Sequence, residues 1–360
     1  MARGYFFSFK TQHKENWTFL WVLLVLVLIT VVLFSIFKVS DSRAEKRMES
    51  VIARATASLE SDAEKINASC KLKDPLNSSS YVLLWLSTYN RKFEDMDEWV
   101  DLTEDEVAAK AWKHDRVILA EKADKKIYPA SMAKIITALV IIENEKDLNK
   151  KITLTWDDFN HFFQDGASIA GFAAGDSLSV NDLLHGLLIS SGSECTTALS
   201  KDVAGSEAEF VKLMNKKAKD IGMKHTHFTN PIGLHDKKTY STVCDLALAL
   251  NYALRNLDFY DLFTTVEYKT SPTESAPKGY KLASTLMQKE DLGLDFPDGY
   301  ILGGKTGYTY EAGQCLASSF IKNGEQFILI TANARPDNFR VQTLQMDDLL
   351  TVYDSVQVTK

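Results

Sequence analysis

The chain holds 360 residues, 45% of them apolar and 25% charged, with 41 basic and 48 acidic side chains. That composition excludes wholesale disorder and collagen-like structure. The net charge of −7 argues against nucleic-acid binding, which needs a basic face to neutralise phosphates, and four cysteines in a chain this long exclude a disulfide scaffold.

The first element is an apolar run from Trp17 to Phe37, 21 residues broken only by Thr18, Thr30 and Ser35. At about 1.5 Å per residue, a helix of this length crosses the roughly 30 Å hydrocarbon core of a bilayer. Trp17, Trp21, Phe34 and Phe37 lie near its ends, where interfacial aromatics are favoured. A cleaved signal peptide has a shorter apolar region, usually about 7–15 residues, and ends in an A-x-A-like site. Here Lys38-Val39-Ser40-Asp41 follows without one. The run therefore predicts an uncleaved signal anchor over 16–38, in contact with membrane lipid, after a cytoplasmic N-terminus at 1–15. The flanking charges do not set the orientation: Arg3, Lys10 and Lys14 precede the run, and Lys38, Arg43, Lys46, Arg47 and Arg54 follow it. The 320 residues after position 40 carry about −10, which describes a solvated acidic domain.

Residues 41–73 contain no Gly or Pro, and Met48, Ile52, Ala55 and Leu59 recur at helical spacing. They predict an amphipathic helix. Asp62 interrupts the apolar seam, so a lone surface helix and a weak stalk-mediated dimer are both open. The stalk is assigned to 39–75 and one domain to 76–360. Asp74-Pro75 and the Asn77–Ser80 cluster mark the break.

Strands are then predicted at 81–86 and 116–120, separated by an insertion over 88–115 whose acidic 94–106 stretch suits an exposed surface. Helix-period segments follow at 131–143, at 180–203 with a polar loop at 190–193, at 207–221 and at 242–257. Strands return at 300–302, 314–321 and 326–332, and a helix at 342–356 closes the domain. Strands at both ends with helices between them predict an α+β fold, a mostly antiparallel sheet with helices packed on it.

Three motifs carry chemistry. Ser131-Met132-Ala133-Lys134 follows Tyr128-Pro129-Ala130 and opens a strongly apolar helix. Ser-x-x-Lys also begins at Ser35, Ser275 and Ser319, but there it lies in the membrane run, spans Pro277, or falls in a strand-like segment. Pro near a helix start is favoured, and Ser131 would then lie in a first turn, near unpaired N–H groups that can stabilise an oxyanion. Lys134, three residues on, shares its face. Burial of that helix would lower the lysine pKa, and a neutral lysine could activate the serine. The plain alternative is a capping serine beside a snorkelling lysine. The second motif is Gly303-Gly304-Lys305-Thr306-Gly307-Tyr308-Thr309 after the apolar 300–302 run, where the glycines admit a close ligand and a strand edge can pair with an extended peptide. Its alternative is an ordinary edge with a turn. The third is Ser190-Ser191-Gly192-Ser193, a short polar loop between helices, which taken alone is usually an N-cap.

Together, and in this order, the motifs resemble the penicillin-binding D-alanyl-D-alanine carboxypeptidase family. These are serine peptidases of bacterial cell-wall metabolism, marked by Ser-x-x-Lys, Ser-x-Asn and Lys-Thr-Gly and related to β-lactamases. Phe228-Thr229-Asn230-Pro231-Ile232-Gly233-Leu234-His235-Asp236, after Gly222-Met223, looks like that family's connecting segment, and 313–317 also fits. The resemblance implies a β-lactamase/DD-peptidase-like fold. It implies Ser131 as acylated nucleophile, Lys134 as general base and Ser191 as proton relay to the leaving D-alanine. Lys305 and Thr306, with Arg340, would hold the substrate carboxylate, and the N–H groups of Ser131 and Tyr308 would form the oxyanion hole beside Gly307. Ser193 stands where the family has Asn, and a serine offers only one donor on a shorter stem, which puts substrate positioning or deacylation in question. Peptidoglycan stem peptides and β-lactam antibiotics are the implied partners. The implied location is the bacterial cell membrane, single-pass, with the catalytic domain outside the cytoplasm. A catalytically weakened penicillin-binding scaffold and a β-lactamase-like hydrolase are the alternatives. No cofactor or metal is expected, since no Cys/His spacing fits one; Cys195, Cys244 and Cys315 read as buried free thiols.

Overall fold

A computed structural model describes residues 67–86, 116–288, 293–336 and 343–359. All of them belong to one compact unit, Ala63–Lys360. The anchor at 16–38, most of the stalk, the 88–115 insertion and Arg340 lie outside the described residues. No helix among the described residues is long and apolar enough to cross a membrane.

In chain order the elements are β1 (Asn67–Cys70), β2 (Ser80–Leu86), β3 (Arg116–Glu121), a 3-10 turn (Ala130–Ala133), α1 (Lys134–Asn144), β4 (Lys151–Thr153), a second 3-10 turn (Trp156–Phe159), α2 (Asn160–Asp165), β5 (Ser177–Ser179), α3 (Val180–Leu188), α4 (Ser193–Ala204) and α5 (Glu207–Asp220). Then come α6 (Val243–Ala253), α7 (Leu257–Thr264), β6 (Glu267–Lys269), β7 (Lys281–Ala283), β8 (Asp295–Phe296), β9 (Gly299–Thr309), β10 (Gly313–Lys322), β11 (Glu325–Ala334), α8 (Leu344–Ser355) and β12 (Val356–Thr359).

Six strands form one antiparallel sheet in the order β3-β2-β11-β10-β9-β8. The β10–β11 hairpin turns on Asn323-Gly324, both at positive φ (49° and 82°). Such a turn matches the twist of the strands, and Asn and Gly tolerate it best. Both sheet faces are covered, so the strands read as continuous apolar runs. Val82 and Leu84 of β2 and Ile328 and Ile330 of β11 join the core under the helices; Leu83, Trp85, Phe327 and Leu329 point the other way, into a second core with Met346, Leu349 and Val352 of α8. α1 is buried from Lys134 to Ile142. Each fully buried Leu or Ile there contributes about 1.5–3 kcal/mol, which anchors the helix that starts at the nucleophile candidate.

The α+β expectation and its antiparallel sheet hold. Three local readings are corrected. The helix expected over 41–73 does not extend to 67–70, where β1 pairs antiparallel with β12, Asn67 opposite Thr359 and Cys70 opposite Val356; a distant strand partner overrides local helical composition. The 242–257 segment ends as α6 at Ala253, and Asn256 starts α7 by accepting from Phe259 N at 3.0 Å. The strand begun at 300–302 runs on to Thr309, so Lys305-Thr306-Gly307 lies inside β9 and not beyond it.

Candidate active site

Ser131 and Lys134 sit on the tightened turn that feeds α1. A 3-10 turn over Ala130–Ala133 replaces the expected first α-helical turn, and Met132 N donates to Pro129 O at 3.1 Å. Ala130 is held at φ 49°, a left-handed conformation that costs a non-glycine residue energy. Gly233 is packed so closely that a Cβ there would lie 1.9 Å from Ala130 O. The turn is thus gripped from outside by the connecting segment.

Lys134 Nζ lies 3.1 Å from Ser131 Oγ and donates to Ile232 O at 2.8 Å. The side chain is 1% exposed. Burial brings its pKa down from 10.5 to about 7, against the opposing charges of Glu194 and Cys195. A lysine near neutrality can take up a proton from the serine hydroxyl.

A second Ser–Lys pair faces the first. Lys305 Nζ donates to Ser191 Oγ at 3.0 Å and to Thr306 O at 2.9 Å. Lys305 is fully buried, and burial, then the charge of Lys134, holds its pKa well below the usual lysine range. Ser191 sits at φ 64°, a second left-handed non-glycine residue. Its loop is closed by Gly192 N donating to Gly186 O and Ser193 N donating to Ser168 O, both at 2.8 Å.

A cleft of about 1040 Å³ takes in Ser131, Lys134, Ser191, Thr306, Gly307 and Tyr308. β8 pairs only with Tyr300 and Gly299 of β9, so the 306–309 stretch of β9 turns to the cleft. Gly307 passes beside the nucleophile turn, and a Cβ there would lie 3.1 Å from Ser131 N. The backbone of Ser131 and the Gly307–Tyr308 segment are therefore neighbours, as an oxyanion hole requires.

Two expected site residues behave differently. Lys305 is fully buried and absent from the cleft lining, with its Nζ on Ser191 Oγ. Ser193 is fully buried, its Oγ has no hydrogen-bond partner, and it is absent from the cleft lining. Its side chain ends one atom past Cβ, too short to reach out from the start of α4. Arg340 lies outside the described residues.

Other residues shape the site without a mark in the motifs. Asn230 Oδ1 accepts from the N–H groups of Ile232, Gly233 and Leu234 at 3.2, 2.8 and 3.0 Å. It folds the segment that offers Ile232 O to Lys134. Thr285 accepts from Thr306 Oγ1 at 2.6 Å. Arg335 donates to Tyr310 O and Glu311 O, at 3.0 and 2.7 Å, and secures the β9–β10 turn. Glu194 Oε1 accepts from Ala170 N and Gly171 N, at 2.7 and 3.2 Å, and pins the loop that carries the cleft residue Ser168. Of these, only Asn230 lay within a segment singled out in the sequence, where Asn-Pro marks a turn.

Two serines, each held by a buried lysine, face an open strand edge: this is equipment for acyl transfer through a serine. The model of the D-alanyl-D-alanine carboxypeptidase family, peptidase family S11, matches residues 102–336, and the chain belongs to that family. It is 33% identical over 237 residues to the D-alanyl-D-alanine carboxypeptidase DacF of Bacillus subtilis, covering 65% of this chain and 58% of that one. It is 30% identical over 260 residues to DacC of Escherichia coli, covering 68% and 61%. The chain thus spans about three fifths of the length of these curated relatives. In fold it resembles the Streptomyces K15 DD-transpeptidase, with a TM-score of 0.62 at 20% identity over 79% of this chain and 98% of that one. A D-alanyl-D-alanine carboxypeptidase from Mycobacterium tuberculosis gives 0.59 at 22% identity, over 79% and 92%.

Proposed function

We propose that the chain is a serine D-alanyl-D-alanine carboxypeptidase that removes the terminal D-Ala from peptidoglycan stem peptides, and that β-lactams acylate the same serine. The observation that carries this reading is the pairing of Lys134 with Ser131 at 3.1 Å and of Lys305 with Ser191 at 3.0 Å on one cleft.

The stem peptide would lie extended along the 306–309 edge of β9. Ser131 Oγ attacks the penultimate D-Ala carbonyl while neutral Lys134 takes its proton. The N–H groups of Ser131 and Tyr308 receive the oxyanion. As the C–N bond breaks, Lys134 returns that proton through the Ser191 hydroxyl to the departing amine, and Lys305 holds Ser191 in place through its hydrogen bond. Thr306 Oγ1 turns its hydroxyl from Thr285 and donates to the substrate carboxylate. A water then attacks the ester on Ser131 while neutral Lys134 takes its proton, and Lys134 returns that proton to Ser131 Oγ as the acyl–oxygen bond breaks and the shortened peptide leaves. The anchor at 16–38 would tether the domain outside the cytoplasm, where this substrate is found.

D-Alanine release from a diacyl-D-Ala-D-Ala peptide tests the reading on the detergent-solubilised full chain. The wild type should release D-alanine and take up a fluorescent penicillin, and Ser131→Ala should do neither. Acylation without release would favour the weakened scaffold. Rapid turnover of the penicillin with no peptide cleavage would favour a β-lactamase-like hydrolase.

A further inference from the structure

Two threonines hold their hydroxyls against each other in the cleft. Thr306 Oγ1 donates to Thr285 Oγ1 at 2.6 Å, and both residues line the cavity. They come from different parts of the chain. Thr306 follows Lys305 on β9, and Thr285 opens a 3-10 turn over Thr285–Gln288, after β7. In this pair Thr285 uses its acceptor. A threonine hydroxyl also carries a proton to donate, and that of Thr285 has no partner among the described residues.

Thr285 is fixed by contacts that do not involve Thr306. Its N–H donates to Ile189 O at 2.9 Å, two residues before Ser191. Leu286, the next residue of the turn, is buried and packs on β9: a Cβ at Gly304 would lie 3.1 Å from its Cδ2. The turn is thus tied both to the loop of the second serine and to the strand that carries Thr306. The Thr285 hydroxyl keeps its place when Thr306 turns away, and a donor fixed in advance loses little entropy when it binds.

We propose that Thr285 is a further substrate-binding residue, which with Thr306 forms a two-hydroxyl clamp for the terminal carboxylate of the stem peptide. The proposal rests on the peptidase reading, in which the Tyr308 N–H holds the oxygen of the attacked carbonyl. The terminal carboxylate lies one residue beyond that carbonyl, and Thr306 lies two positions from Tyr308 on the same strand edge. Two hydroxyls 2.6 Å apart suit the two oxygens of one carboxylate, each of which accepts. Thr306 releases Thr285 and donates to one oxygen, and Thr285 donates its unused proton to the other. A neutral hydrogen bond is exchanged for two to an ionised acceptor, each roughly twice as strong. The neighbouring cation is engaged elsewhere: Lys305 is absent from the cleft lining, its Nζ held by Ser191 Oγ and Thr306 O.

The test compares the full chain with Thr285→Val, which removes the hydroxyl, and Thr285→Ser, which keeps it. D-Alanine release from a diacyl-D-Ala-D-Ala peptide is set against D-alaninamide release from its C-terminal amide, and acylation by benzylpenicillin against acylation by its methyl ester. Thr285→Val should lower kcat/KM and the acylation rate about 10–100-fold on the two carboxylates, and less than about threefold on the amide and ester. Thr285→Ser should keep the wild-type preference for the carboxylates. Thr306→Val separates binding from orientation of Thr306. If Thr285 merely orients Thr306, adding Thr285→Val to Thr306→Val changes nothing, whereas a clamp with one arm gone should lose about another tenfold with the second. An equal loss on charged and uncharged substrates, an unchanged preference in Thr285→Val, or no further loss in the double variant would overturn the clamp. If the wild type releases no D-alanine, the peptidase reading fails and the penicillin pair decides the clamp; a wild type that prefers neither carboxylate would overturn it.

Discussion

Lys305 Nζ donates to Ser191 Oγ across 3.0 Å, joining residues 114 positions apart in the chain. A lysine expected at the cleft surface is instead the buried support of the second serine. Its other bond, to Thr306 O, ties that support to β9 itself. Lys305→Met should keep the volume and remove the hydrogen bond to Ser191. The second-order rate of penicillin acylation should fall by about 10²–10⁴, the range for losing a positioned proton-transfer group. Stopped-flow acylation measures it, and a change under threefold would remove Lys305 from the relay.

The pH dependence of acylation should report Lys134. With its pKa brought to about 7 by burial, the base form is lost below that value. The rate should decline by about tenfold per pH unit on the acid side. Glu194 opposes the shift by favouring the ammonium. Glu194→Gln should therefore move the acid limb to lower pH, and an unmoved limb would dissociate Glu194 from Lys134. Stability follows the same sign: between about 7 and 10.5 the unfolded chain holds a proton that folded Lys134 lacks. The melting temperature of the wild type relative to Lys134→Met should rise with pH across that window.

Asn230 acts through the backbone it folds. Asn230→Ala removes the acceptor of three N–H groups and should cost about 1–3 kcal/mol of stability. Displacing Ile232 O from Lys134 should also lower kcat by about 10–100-fold with little change in KM. Asn230→Asp keeps the acceptor and should recover most of kcat. Steady-state kinetics at matched folded fraction would check this, and equal losses in the two variants would contradict it.

His161 should stabilise the fold on the acid side. Burial works against its charged form, but the hydrogen bonds to Asp165 and Glu207 outweigh burial and raise its pKa above 6.5. Its contribution is then fully present below about 6.5 and lost as pH rises through the higher folded value. The melting-temperature gap between wild type and His161→Asn should be widest near pH 5 and shrink toward pH 8. A gap independent of pH would mean the imidazole acts only by packing.

The sheet was legible because its strands are long and apolar and end in strong turn signals, as Asn323-Gly324 does. β1 was not legible: Asn67–Cys70 has no strand pattern, and its partner β12 lies at the far end of the chain. The catalytic candidates were readable because acyl transfer fixes residue types at fixed spacing, so Ser131 and Lys134 announce themselves three residues apart. Asn230 and Glu194 bond to backbone groups, and such bonds leave no constraint between side-chain types in the sequence.

By itself the sequence determined the α+β class, the apolar N-terminal run and the identity of the two serines and two lysines. Only the tertiary structure decided what each lysine does. Lys134 and Lys305 are alike as residues, but burial sets one beside Ser131 and the other behind Ser191, and in a low-dielectric interior the neighbouring atoms settle where a proton rests. The same holds for Ser193, the first residue of α4, whose hydroxyl is buried without a partner.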